Sequence, residues 1–248
     1  MTTEDIKIIE MTEFGPLVET SDGSLTIRHA VHGQDFHSTE GARFEAWQLY
    51  VVASGLLDDL LDGSRSSRVL DVGMGLSYNA CATIAAWIES GGLCELKMTS
   101  LEIDPGLVMA IAGGNAPWCR GWSEAWLMGP KALKKSSENT WSAELTHSNS
   151  GKKLSWSVVI GDASVANLLP VEGDYDYIWQ DPFTPELNPG MWSAKWFEKV
   201  RLVASNRVQL MTYSVSRIVK DELEKGGWSH ERFRTPGRKR HWLRATKQ

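Results

Sequence analysis

The apolar positions of this chain change period repeatedly, and each change marks out an element. Leu17-Val18-Glu19-Thr20 and Leu25-Thr26-Ile27-Arg28 flank the turn signal Ser21-Asp22-Gly23-Ser24, which predicts a β-hairpin. From Arg43 to Leu61 the spacing becomes helical: Phe44, Trp47, Val51, Leu56, Leu57, Leu60 and Leu61 recur before Gly63-Ser64 closes the run. Arg68–Gly75 then reads as a short buried strand ending in glycines. Ser77 is placed to cap the next helix, which carries Ala80, Ile84, Ala85 and Ile88 and stops at Gly91-Gly92. A second strand is expected over Leu96–Asp104, with Pro105 opening another helix. Strand, glycine turn, helix, strand is the βαβ order of an open parallel sheet.

Residues 115–139 carry no clear period. Beyond them, Thr140–His147 and Leu154–Gly161 are spaced to pair across Ser148–Lys152. Strands are expected at Tyr175–Gln180 and Arg207–Tyr213, and helices at Met191–Val203 and Val215–Lys225. A closing antiparallel hairpin is expected from Trp228–Arg234 and Arg240–Thr246. With no linker in sight, the fold expected is a single α/β domain over residues 1–248. It comprises an N-terminal hairpin-and-helix appendage (1–64) and a Rossmann-like core (65–248) with an insertion near 115–150.

Composition narrows the class. No stretch approaches the roughly 18 apolar residues of a membrane span. The acidic start MTTEDIKIIEMTEF is unlike a secretion signal. Three cysteines without C-x-x-C spacing suggest reduced thiols and a cytoplasmic protein. The six histidines form no metal-ligand spacing, so no metal is expected. Net charge is −5, but residues 201–248 hold twelve Lys and Arg against four Asp and Glu. An acidic body with a basic C-terminal fifth fits a local phosphate-binding patch and not a basic coat.

The chemistry concentrates at predicted strand ends. Gly73 and Gly75 follow the first strand, where glycines let a ligand lie against the backbone. Asp71 sits at that strand's end, where it can meet a cationic amino group. Glu102 ends the second strand and can bind both hydroxyls of a ribose; Asp162-Ala163 ends the third, where Asp162 can accept from an adenine amine. No G-x-x-x-x-G-K-[ST] loop is present, and Tyr78 occupies the third position of a dinucleotide G-x-G-x-x-G. S-adenosylmethionine, which has no phosphate and carries an amino-acid end, suits these residues better than NAD.

Asp181-Pro182-Phe183 follows the predicted fourth strand, beside the expected crevice. Its carboxylate can accept an amine's hydrogens while the aromatic stacks on a flat base. The plainer alternative is a turn carboxylate capping the helix near Asn188. Glu45, early in its helix, reads from local sequence as a solvated first-turn acid. Trp179, Trp192 and Trp196 flank the site and can wall it, although tryptophans are core residues by default.

Together these segments resemble the bacterial tRNA 5-aminomethyl-2-thiouridine methyltransferases, the MnmD-like family that also forms the N-terminal half of the bifunctional MnmC enzymes. The resemblance rests on Thr20–Ser24, on His37-Ser38-Thr39-Glu40-Gly41-Ala42 with Glu45, and on Gly73-Met74-Gly75 with Asn79. It continues through Glu102–Pro105, Asp181–Pro185 with Asn188, Pro189 and Trp192, and Pro236–Arg240. It implies methyl transfer from S-adenosylmethionine to the aminomethyl nitrogen of a tRNA wobble uridine. Asp181 would position the amine, and Glu45 would shape the pocket. Arg238, Lys239 and Arg240 are the expected tRNA contacts. Ser77 stands where the family commonly has glycine, and the tryptophan-rich 115–150 stretch is unlike compact members. No oxidase half accompanies the chain, so the aminomethyl group would arise by another route. N-methylation of a small amine, or a silent tRNA-binding relative, are the competing readings.

Overall fold

A computed structural model describes residues 7–164, 174–235 and 241–248. Strands β1 (Ile8–Thr12), β2 (Gly15–Glu19) and β3 (Leu25–Ile27) form a small antiparallel sheet, so the expected hairpin is present with one further strand. The helical run that follows is interrupted. It comprises α1 (Ala42–Glu45), a π-helical stretch (Ala46–Val52) and α2 (Leu56–Asp62). The break has a local cause. The Ser54 hydroxyl donates to the Tyr50 carbonyl at 2.7 Å, and Gly55 takes a left-handed φ of 85°. Wide π turns recur at functional sites, and this one carries Tyr50.

The core then runs β4 (Ser67–Val72), α3 (Tyr78–Glu89), β5 (Leu96–Glu102), α4 (Pro105–Ile111) and α5 (Glu124–Ala132). It continues through β6 (Lys134–Ser137), β7 (Thr140–Thr146), β8 (Lys153–Ile160), β9 (Tyr175–Gln180) and α6 (Ala194–Leu202). Strand β10 (Ala204–Thr212), helix α7 (Arg217–Lys225) and strands β11 (Trp228–Phe233) and β12 (Trp242–Lys247) complete it. The strands order as β11-β12-β10-β9-β4-β5-β8-β7-β6. Strands β10, β9, β4, β5 and β8 are parallel, and antiparallel strands flank them on both sides. This is the Rossmann-like α/β sheet expected, closed by its C-terminal antiparallel hairpin.

The chain leaves β4 toward β5 on one side and returns as β9 on the other. The carboxyl ends of β4 and β9 therefore bound the crevice where open α/β sheets hold ligands. Alternation distributes the core to both faces: Val69, Tyr177 and Trp179 pack with α3 and the N-terminal elements, while Leu70, Ile178 and Leu210 pack with α6 and α7. All six residues of β9 are buried, as a central parallel strand requires.

The stretch 115–150 supplies a 3-10 turn, α5, β6 and β7. Trp118, Trp122 and Trp126 are buried in it, and the Trp118 indole donates to the Leu76 carbonyl at 3.0 Å. This insertion buttresses the glycine loop from behind. Ser77 differs from expectation. It precedes α3 in a left-handed conformation (φ 66°), makes no side-chain cap, and its buried hydroxyl has no partner.

Candidate active site

A cavity of about 540 Å³ opens at the carboxyl ends of β4, β5 and β9. Its floor is the glycine loop. Gly73 and Gly75 have φ of 81° and 51°, and a Cβ on Gly73 would sit 2.9 Å from the Pro182 Cα. Only glycine permits that approach between the loop and the Asp181–Pro182 backbone.

Glu102 ends β5 facing this loop. Its carboxylate accepts from the backbone amides of Gly75 (2.7 Å), Ile103 (2.8 Å) and Asp104 (2.9 Å). Burial raises its pKa against the opposing pull of these amides. Three donors fix the group and leave one of its roughly four acceptor sites for a ribose hydroxyl. Glu102→Ala is expected to weaken S-adenosylhomocysteine binding about 100-fold, the loss of one charge-assisted hydrogen bond. Calorimetry showing less than a threefold change would remove Glu102 from ligand contact.

The opposite end holds the reacting groups. Asp181 accepts from the Asn79 amide at 2.7 Å, and its own backbone amide donates to the Val72 carbonyl at 3.0 Å. Burial, reinforced by the nearby Glu45 charge, holds the Asp181 carboxyl well above the ordinary aspartate range. The Tyr50 hydroxyl lies in electrostatic range of both acids, is pushed up chiefly by burial, and makes no hydrogen bond of normal geometry. The helix-cap reading of Asp181 fails: the 3-10 turn after Asn188 has no side-chain cap, and Asp181 reaches across to α3.

The surface reading of Glu45 fails as well, because it is 7% exposed and lines the cavity. The cause lies in the Thr20–Ser24 turn. Asp22 accepts from the Phe44 amide at 2.8 Å, and the Ser24 hydroxyl accepts from the Ala42 amide at 3.1 Å. The N-terminal sheet thus caps α1 from outside and aims Glu45 inward.

Three side chains clamp the Gln180–Phe183 segment. Trp192 donates to the Phe183 carbonyl (2.7 Å), Tyr213 to the Pro182 carbonyl (3.0 Å), and Trp196 to Gln180 (3.0 Å). Trp179, Trp192 and Trp196 do not line the cavity; they support it from the core.

Of the other expected site residues, Gly73, Gly75, Asp162, Ala163, Pro182 and Phe183 line the cavity with Glu102, Asp181 and Glu45. Asn79 stands behind Asp181. Asp71 does not reach the cavity. Strand alternation turns it into the core, where the Ser100 hydroxyl donates to it at 2.7 Å and burial raises its pKa to about 7. Arg238, Lys239 and Arg240 lie outside the described residues.

Of the aromatic rim, sequence reasoning singled out Phe183 alone. His29, His32, Phe36 and Phe183 have ring centroids 4.5–5.5 Å apart, and the Arg28–Asp35 ion pair (2.9 Å) closes the loop that carries the two histidines. The density of His and Phe over residues 29–37 was the available signal. Histidines weighed only as metal ligands hide it.

Among the described residues six carboxylate residues line the cavity (Asp35, Glu45, Glu102, Asp104, Asp162 and Asp181), and no Lys or Arg does so. Such a wall repels phosphates and suits a ligand with a sulfonium and an ammonium. Among the described residues no group of three His, Cys, Asp or Glu is arranged for a metal ion.

Comparison with known proteins agrees with this geometry. Residues 130–248 match a family model described as S-adenosyl-L-methionine-dependent methyltransferase. The bifunctional protein MnmC of Thiobacillus denitrificans, named for tRNA 5-methylaminomethyl-2-thiouridine biosynthesis, is 27% identical over 87% of this chain and 34% of its own length. The MnmC of Ralstonia nicotianae is 27% identical over 83% of this chain and 30% of its own. These matches relate the C-terminal part of the chain to S-adenosylmethionine-dependent methyltransferases and most of its length to the MnmC proteins at 27% identity.

The MnmC2 crystal structure from Aquifex aeolicus shares the fold, with a TM-score of 0.73 at 23% identity. That match covers 97% of this chain and 72% of the Aquifex chain. The chain spans about a third of the length of the curated relatives it matches. S-adenosylmethionine is the cofactor of the family whose model matches residues 130–248, and the acidic cavity with its tethered Glu102 fits it.

Proposed function

We propose that this protein transfers a methyl group from S-adenosylmethionine to the exocyclic amine of a 5-aminomethyluridine at the tRNA wobble position. The observation that carries the reading is the placing of two carboxylates, Asp181 and Glu45, at the end of the cavity beside the glycine loop. An alkylamine reaches the site as an ammonium, attracted by both acids. The cofactor supplies an electrophilic methyl on a sulfonium. The ammonium's charge favours the ionised form of Asp181, whose pKa in the empty site is raised, so Asp181 accepts one ammonium proton and leaves the nitrogen lone pair free. Glu45 holds a remaining N–H, which sets the angle of attack. The Phe36 and Phe183 rings offer flat surfaces to the pyrimidine.

The tRNA part of the reading is supported by the names of the relatives and by charge. The register places Thr212 of β10 opposite Leu243 of β12, so β11 ends and β12 begins at the same edge of the sheet as the cavity. Arg232 and Arg234 are exposed there. Not every base in the segment is available. Arg244 donates to the Ala53 carbonyl (2.6 Å) and pairs with Glu231, and Lys247 donates to the Ala204 carbonyl (2.9 Å). Charge reversal at Arg238 and Arg240 is expected to weaken tRNA binding at least tenfold and to lower its salt slope by about 2. Unchanged binding in a filter assay would show that the hairpin is plain surface.

The substrate class is tested by offering labelled S-adenosylmethionine with tRNA bearing aminomethyluridine, with the free nucleoside, and with a polyamine. The reading expects methylation of tRNA to exceed the others by orders of magnitude. Equal methylation of the small amines would favour a small-amine methyltransferase, and cofactor binding without any transfer would favour a silent relative.

A further inference from the structure

His37 is the one histidine of the cavity wall that is buried, at 8% exposure. Its backbone amide donates to the Thr26 hydroxyl at 3.1 Å, and the Phe36 amide donates to the Ile27 carbonyl at 3.0 Å. Strand β3 therefore fixes this segment over the glycine loop. The His37 ring meets Tyr78, the first residue of α3, edge-on at 4.9 Å. The Nε2 atom is shielded from solvent and has no hydrogen-bond partner in the protein.

Native structures rarely leave a buried ring nitrogen unsatisfied, and because the His37 side chain lines the cavity, a bound ligand is the available partner. Among the described residues the wall contains six carboxylate residues and no Lys or Arg. The ammonium and sulfonium of the cofactor are amply matched by such a wall; its carboxylate is not. That carboxylate needs a neutral donor, placed where the acids do not dominate. His37 stands beside the start of α3, a twelve-residue helix with no side-chain cap, whose N-terminal dipole also favours an anion. Burial pushes the His37 pKa down to about 4, so the ring is neutral at working pH and acts as a hydrogen-bond donor without adding charge.

We propose that His37 Nε2–H donates to the α-carboxylate of the bound cofactor, making the Phe36–Thr39 segment the cover of its amino-acid end. The N-terminal sheet is then part of the cofactor site as well as of the substrate rim. This inference rests on the cofactor assignment above and is separable from the tRNA reading.

Calorimetry with three ligands tests it: S-adenosylhomocysteine, its decarboxylated form, and 5′-methylthioadenosine, which lacks the whole amino-acid end. The variants are His37→Phe, which keeps a ring against Tyr78, and His37→Gln, which keeps a donor. His37→Phe is expected to weaken S-adenosylhomocysteine about 10- to 100-fold, as for a lost hydrogen bond to a charged group. Binding of the other two ligands should change by less than about threefold, and His37→Gln should restore part of the loss. An equal loss for all three ligands would assign His37 a packing role and overturn the proposal, as would unchanged S-adenosylhomocysteine binding. Failure of wild-type protein to bind any of the three would instead refute the cofactor assignment.

Discussion

Asp181→Asn should lower kcat by about 10³-fold or more while making the protein more stable to heat at pH 8. The first effect follows from removing the group that accepts the substrate proton, a role worth about 10² to 10⁴ in rate. The second follows from linkage. Aspartate has an ordinary value of 3.8, and in the folded protein Asp181 titrates well above it because burial and Glu45 both disfavour its charge. Between those two values the native state holds a proton that the unfolded chain has released. Stability therefore falls as pH rises through that window. Asparagine abolishes that slope, so the variant and wild type should converge near pH 4 and diverge toward pH 8. The Asn79 contact survives, because the asparagine carbonyl can accept it. Thermal melts across pH, paired with single-turnover transfer, separate the two effects. A variant that is less stable at pH 8 would make Asp181 a structural residue.

Gly73→Ala is the second large effect, and here stability and binding are expected to fall together. A left-handed φ of 81° costs an alanine about 1–2 kcal/mol. The added methyl would also lie 2.9 Å from the Pro182 Cα and 3.1 Å from the Asp181 carbonyl oxygen. Displacing that backbone costs about 1–3 kcal/mol more. A fall in Tm on the order of 10 °C is expected, with loss of S-adenosylhomocysteine binding, since the loop and Asp181 move as one. Gly23→Ala is the control: its φ is 76°, but nothing lies within 4 Å of its added methyl. It should show the strain alone and keep its affinity for the ligand. Equal behaviour of the two variants would mean that the approach of Gly73 to Pro182 is not critical.

Much of the parallel sheet could be read from the sequence because its strands are short apolar runs ending in glycine or acid. Asp71–Gly75, Glu102 and Asp162 mark three such ends. Glu45 could not be placed by local pattern, because its burial comes from Asp22 and Ser24 twenty residues earlier; the family resemblance pointed to it. Asp71 looked like a ligand residue because strand-end position was counted and face was not. In a six-residue strand, one position decides whether a carboxylate meets the cavity or the core. His37 entered only as part of a motif for a related reason: its significance is an unsatisfied atom, which exists only once the neighbours are in place. The tryptophans of residues 115–126 gave no period because they fill a surface behind a loop and not the stripe of one long helix.

The central claim is that one carboxylate-lined pocket methylates an aminomethyl nitrogen on tRNA. Its most direct test is nucleoside mass spectrometry after incubating the protein with S-adenosylmethionine and tRNA that carries 5-aminomethyluridine at the wobble position. The account predicts conversion of that nucleoside to its N-methylated form by wild-type protein, and none by Asp181→Asn. An unmodified wobble nucleoside, with the cofactor demonstrably bound and the tRNA retained, would contradict it.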